Sequence, residues 1–258
     1  SHRLTLDYWD TLFVQAEQRL AEAGEDDALK ERILTVLIAR QPRMLSLARA
    51  YLSLADLVGL RQRLIGSGYI GGKAVGMVLA RAILAREEPE LTANSLDPHD
   101  SWHLGADAFY SFLVHNDCWR HIMQKRTATG VYRDAPALRN AILKGTFPTE
   151  IRQGLERLLD YYGQYPIMVR SSSVLEDGFG NAFAGKYESV FLVNQGSPDE
   201  RLAALEQAIL TVYASAFNHD ALHYREQRGL LGQEESMALL IQRVNGCYHA
   251  SYYLPDAA

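Results

Sequence analysis

Near position 165 the apolar residues change their period, and no other feature of this sequence limits its possible folds as much. Upstream, the spacing is helical. Leu29, Ile33, Val36 and Leu37 fall at i, i+4, i+7 and i+8 behind a cap at Asp26 or Asp27. Pro42 separates that helix from a second one through Met44, Leu47, Ala48, Tyr51 and Leu52. The stretch from Leu4 to Leu64 shows no strand-like alternation, so residues 1–65 read as an α-helical N-terminal region. Thr149–Tyr162 is an amphipathic helix with Ile151, Leu155, Leu158 and Leu159 on one stripe and Gly163 at its end. Downstream, short apolar runs at Ile167–Arg170, Val190–Val193 and Met237–Val244 read as buried strands, and Tyr248–Leu254 as the start of another. Ser197-Pro198-Asp199-Glu200 is a capping box with proline at the first helical position, opening a helix through Leu202, Leu205, Ile209, Val212 and Tyr213. Helices followed by a mixture of strands and helices predict an α+β fold.

Between these regions, Gly66-Ser67-Gly68-Tyr69-Ile70-Gly71-Gly72-Lys73 interrupts the helical pattern, which resumes from Ala74 to about Arg86 with Val75, Val78, Leu79 and Ala82 on one face. Gly66, Gly68 and Gly71 satisfy GxGxxG, but that fingerprint needs a preceding strand, and Ala55–Leu64 reads as helix. The phosphate-loop pattern aligned on Lys73 fails at Ser67 and Ala74. What remains is a glycine loop entering a helix, which lets backbone approach a ligand, with a lysine beside free amides, against a plain helix entry with a solvated lysine. Glu87–Asp100, with Pro89 and Pro98, reads as a loop; Trp102–Leu104 reads as a strand before a helix from Asp107 to about Met123.

Val169-Arg170-Ser171-Ser172-Ser173-Val174-Leu175-Glu176-Asp177 puts an arginine at a strand end, three hydroxyls after it and two acids behind. That set suits a polyphosphate: the guanidinium forks onto phosphate oxygens, the hydroxyls donate to others, and the acids orient the arginine or hold a hydrated Mg²⁺. The competing reading gives Arg170 a structural ion pair and makes Ser173 the cap of a turn with Glu176. Gly178–Gly185 follows as a flap over a ligand or a plain turn. His219 and His223 are at i, i+4 with Asp220 between them, one methylene short of the zinc-protease pattern and without a third ligand nearby, so no metal site is expected.

Composition removes other classes. The 26 Lys+Arg against 31 Asp+Glu give a net charge of -5, without the basic excess of a nucleic-acid binder. Two cysteines, Cys118 and Cys247, are too few for a disulfide framework, which fits a reducing, cytoplasmic setting. No apolar run is long enough for a membrane helix. The chain begins Ser1-His2 without methionine and is expected to be a piece of a longer protein.

Together, Gly71-Gly72-Lys73, Ile167–Ser173 with Glu176-Asp177, Ala182-Phe183-Ala184-Gly185 with Tyr187-Glu188-Ser189, Tyr224-Arg225 and Ile241-Gln242-x-Val244 resemble the N-terminal ATP-binding region of the phosphoenolpyruvate synthase and pyruvate phosphate dikinase family. The resemblance covers residues 66–258 and implies an ATP-grasp-like nucleotide-binding domain, cut short before its last subdomain. It implies that Lys73 and Arg170 contact the phosphates of ATP and act in catalysis. Ser171, Ser172, Ser173, Glu176 and Asp177 would line the phosphate loop, Gly71 and Gly72 would bind the nucleotide beside Lys73, and Gln242, Arg243 and Val244 would form a hinge whose backbone meets adenine. Full-length members pass a phosphoryl group from Mg²⁺-ATP to a histidine on a separate domain and on to an acceptor such as pyruvate. The family's distal metal-binding Glu and Gln-x-Arg pair have no counterpart here, so the piece alone is expected to be inactive. The alternative is a nucleotide-responsive scaffold module.

Overall fold

The computed structural model describes residues 7–22, 24, 26–38, 41–96, 100–119, 128–173, 175–176, 185–233, 235–249 and 252–255. Four helices come first: α1 (Tyr8–Ala21), α2 (Asp27–Leu37), α3 (Pro42–Tyr51) and α4 (Leu54–Gln62). Each start has a local cause. Asp26 accepts the Leu29 amide and so is the cap of α2, Pro42 takes the first position of α3, and Ser53 with Asp56 forms a capping box on α4.

The helical region ends in a strand, β1 (Leu64–Ile65), which pairs in parallel with β2 (Ser101–Leu104). Between them lie α5 (Gly72–Glu87) and α6 (Pro89–Ser95). Two expectations are corrected here. A strand does precede Gly66, and the segment around Pro89 is helical, because proline at a first helical position loses only an amide that has no partner there anyway. After β2 come α7 (Ala106–His115), α8 (Ala128–Leu143) and α9 (Thr149–Tyr162). α7 stops well short of Met123: Asn116 caps it and Asp117 turns to a positive φ of 55°. The remaining elements are β3 (Ile167–Ser173), β4 (Ser189–Leu192), α10 (Pro198–Ser215), α11 (His219–Gln227), β5 (Met237–Arg243), β6 (Gly246–His249) and β7 (Tyr252–Pro255).

The main sheet has the order β1-β2-β5-β3-β4 and is antiparallel apart from the β1–β2 pair; β6 and β7 form a separate hairpin. Alternation along the strands divides it between two cores. Trp102, Leu104, Ile167, Val169, Leu239 and Ile241 pack with α7, α9 and α10 through Phe109, Phe112, Leu155, Leu158, Ile209 and Tyr213. Leu240 faces the other way, into a cluster shared by α1–α4 and the Ala74, Val75, Val78 and Leu79 stripe of α5. Apolar side chains from both sides of position 65 thus occupy one core. None of the described helices is long and apolar enough to cross a membrane.

Candidate nucleotide site

On the α5 side of the sheet, Lys73 and Arg170 line one cleft of about 350 Å³ together with Gly72, Gly76, Met77, Leu240 and Gln242. Strand register accounts for the sheet wall: Arg170 is opposite Leu240 and Met168 opposite Gln242, so Arg170, Leu240 and Gln242 share a face. Helical spacing accounts for the other wall, since Gly76 and Met77 stand three and four positions after Lys73. Gly76, Met77 and Leu240 were not singled out in the sequence, although those two periodicities point to them.

The glycine loop also has a packing reason to lack side chains. A Cβ on Gly71, at φ +84°, would lie 1.4 Å from the Ser172 carbonyl oxygen, and one on Gly72 would lie 1.9 Å from that of Glu176. These glycines admit the protein's own backbone, pressing the turn after β3 against the start of α5. Ser172 joins the two, donating to the Ile70 carbonyl at 2.9 Å and accepting the Ala74 amide at 3.0 Å. The GxGxxG loop is likewise filled by protein: Ala106 N donates to Tyr69 O, Asp107 N to Ser67 O, and Ser67 Oγ to the Asp107 carboxylate.

Lys73 is not simply solvated. Its Nζ lies 2.7 Å from Glu176 Oε1 and 3.1 Å from Ser171 Oγ. Glu176 is 1% exposed; Ser171 Oγ also donates to Oε1, and the Ser173 amide donates to Oε2. With donors from the protein on both oxygens, this carboxylate does not fit the hydrated Mg²⁺ suggested from sequence, nor does it orient Arg170. Among the described residues no group of three or more His, Cys, Asp and Glu could hold a metal ion. The three hydroxyls read as phosphate donors are fully buried, and each donates into the protein: Ser171 to Glu176, Ser172 to Ile70 and Ser173 to Glu235. Ser173 does form the turn with Glu176, whose amide donates to its carbonyl at 3.1 Å.

Arg170 makes no ion pair among the described residues; its Nη1 is 3.5 Å from Gln242 Oε1. Gln242 Nε2 approaches Ser101 Oγ at 3.3 Å and Met77 Sδ at 3.4 Å. Arg243 points away, with Nε 3.1 Å from Asp100 Oδ2 and its guanidinium over the Tyr165 ring. Val244 N donates to Pro166 O, and Val244 O accepts from Tyr253 OH. The ladder between β5 and β2 ends at Gln242–Ser101. Asp177 and the flap residues 178–184 lie outside the described residues; Gly185, at the end of that stretch, has φ +69°. His219 and His223 sit stacked and exposed on α11 and do not line this cleft.

An α+β fold with a mixed sheet and a lysine–arginine cleft beside a helix start is compatible with a nucleotide-binding domain. Residues 67–251 match the family described as pyruvate phosphate dikinase, AMP/ATP-binding domain, and the chain belongs to that family. No curated relative matches the chain.

Proposed function

We propose that ATP binds in the cleft between α5 and the β3–β5 face, with Lys73 and Arg170 on its phosphates, and that the chain is the nucleotide-holding part of an ATP-grasp-like phosphotransferase. The observation that carries this is the convergence of Lys73 and Arg170, distant in sequence, on one cleft walled by Met77 and Leu240. Each wall supplies one cation and one apolar side chain, Lys73 with Met77 on α5 and Arg170 with Leu240 on the sheet, a set that suits a phosphate chain joined to a flat base. The base would reach the peptide edge at Arg243, beyond the last β2–β5 pair, because the Val244 backbone groups already have partners. Mg²⁺ would come with the nucleotide, held by phosphate oxygens and water.

Phosphoryl transfer depends on positioning and on neutralising charge at the transferred group. Lys73, held by Glu176 and Ser171, offers a fixed cation; Arg170, which makes no ion pair among the described residues, offers a fork that can turn onto oxygens. By family membership the phosphoryl group would pass to a histidine on a separate domain and then to an acceptor such as pyruvate, in a cytoplasmic setting. Arg170→Ala removes charge-assisted bonds of about 1.5–3 kcal/mol, so calorimetric titration with ATP should show a roughly 10- to 150-fold loss of affinity. Equal affinity of wild type and Arg170→Ala would overturn the assignment, and Arg170→Lys should fall between them.

A further inference from the structure

Glu235 is a buried carboxylate just before β5 and is not among the residues that line the nucleotide cleft. Its Oε1 accepts from Ser173 Oγ, its Oε2 accepts from Tyr187 OH at 2.5 Å, and Arg225 Nη1 lies 3.8 Å from Oε2. Arg225 is itself buried, on α11, and donates Nη2 to the Gln233 carbonyl at 2.6 Å. Ser173 ends β3 and Tyr187 stands two residues before β4, so one carboxylate grips both ends of the β3–β4 connection. From Ser173 the bonding continues inward. The Ser173 amide donates to Glu176 Oε2, and Glu176 Oε1 receives Lys73 Nζ. A buried ion pair is a weak source of stability, and apolar residues of similar size often do as well. An unbroken path of bonds from this one to a ligand-facing lysine calls for another role.

We propose that Glu235 is a positioning residue: through Ser173 and Glu176 it sets where the Lys73 ammonium stands, and through Tyr187 it fixes the spacing of the β3–β4 ends. The consequence for ATP rests on Lys73 being a phosphate contact; the placement of Lys73 does not. Two variants remove the grip with little change of volume. Glu235→Gln takes away the charge, and Tyr187→Phe takes away one hydroxyl and retains the ring. The first readout needs no nucleotide: the rate at which a small amine-reactive ester acylates Lys73, measured by peptide mass spectrometry relative to Lys30 and Lys144. The second compares affinity for ATP with affinity for adenosine, which lacks the phosphates.

Lys73 acylation is expected to rise severalfold in Glu235→Gln and less in Tyr187→Phe, with the reference lysines unchanged. ATP affinity should fall about tenfold in Glu235→Gln, the size of one lost charge-assisted contact, while adenosine affinity holds. Unchanged Lys73 acylation in folded variants would overturn the proposal, and so would equal weakening of ATP and adenosine, which marks a purely structural staple. A wild-type chain that binds neither compound would defeat the phosphate assignment of the cleft, and the acylation rates would still decide the positioning. If Glu235→Gln does not fold, Tyr187→Phe carries both readouts.

Discussion

Gly71 cannot accept a side chain, for two separate reasons: its φ of +84° is left-handed, and its Cβ would sit on the Ser172 carbonyl. Gly71→Ala should therefore lower stability by roughly 3 kcal/mol or more, as strain and overlap act together. Urea unfolding midpoints would measure it. Gly76 is the opposite case, on the same helix with nothing within 4 Å of a built Cβ. Gly76→Ala should stabilise the fold by about 0.5–1 kcal/mol, yet its methyl enters the cleft, so ATP affinity should drop. A variant that is both more stable and tighter for ATP would argue against the cleft. At this scale the sequence was legible for residue types and silent on direction. The family resemblance pairs Lys73 with Arg170, and both line one cleft. That Ser172 donates to Ile70 and that Glu176 belongs to Lys73 depends on contacts between segments about a hundred residues apart, and the Ser173–Glu235 bond spans 62, separations at which local chemistry carries no signal; the Ser171–Glu176 bond is local.

Elements with strong local signals form where the pattern places them: Thr149–Tyr162 holds to the residue, and α10 opens on the Ser197–Glu200 box. The box makes a testable contribution. Glu200 Oε2 accepts from the Ser197 amide and hydroxyl, which hold its carboxyl below the ordinary value of 4.5. A carboxyl with a lowered folded value stabilises the fold above the unfolded value and loses that contribution as pH falls through the folded one. The stability gap between wild type and Glu200→Gln should thus be steady near neutral pH and shrink below about pH 4.5. A gap that widens on acidification would contradict this. Ser197→Ala should cost about 1 kcal/mol at neutral pH. Elements escaped the sequence where a signal had two meanings. Pro89 reads as part of a loop and is a helix start, and α8 carries Pro136 in its interior, where proline normally argues against a helix. β1, two residues long, is too short for any period to show and is a strand only because β2 lies beside it.

For the molecule as a whole, the boundary at position 65 is a change of pattern more than a gap in packing. Leu54, Leu57 and Leu64 share a core with Val75, Leu79 and Leu240, so the helical region and the sheet should unfold together. Scanning calorimetry should give a single transition with equal calorimetric and van't Hoff enthalpies, and two resolved transitions would show independent units. One residue bonds to both the helical region and the edge of the cleft. Ile70 N donates to the Leu37 carbonyl at the end of α2, and Ile70 O accepts from Ser172 beside the glycine loop. On the proposed reading, occupancy of the cleft should register in the melting of helices that do not line it. By mass action, nucleotide at a hundred times its dissociation constant should add about 2.7 kcal/mol to the whole, and Trp9, packed on Phe13 in the first helix, would report it as faithfully as any group in the cleft.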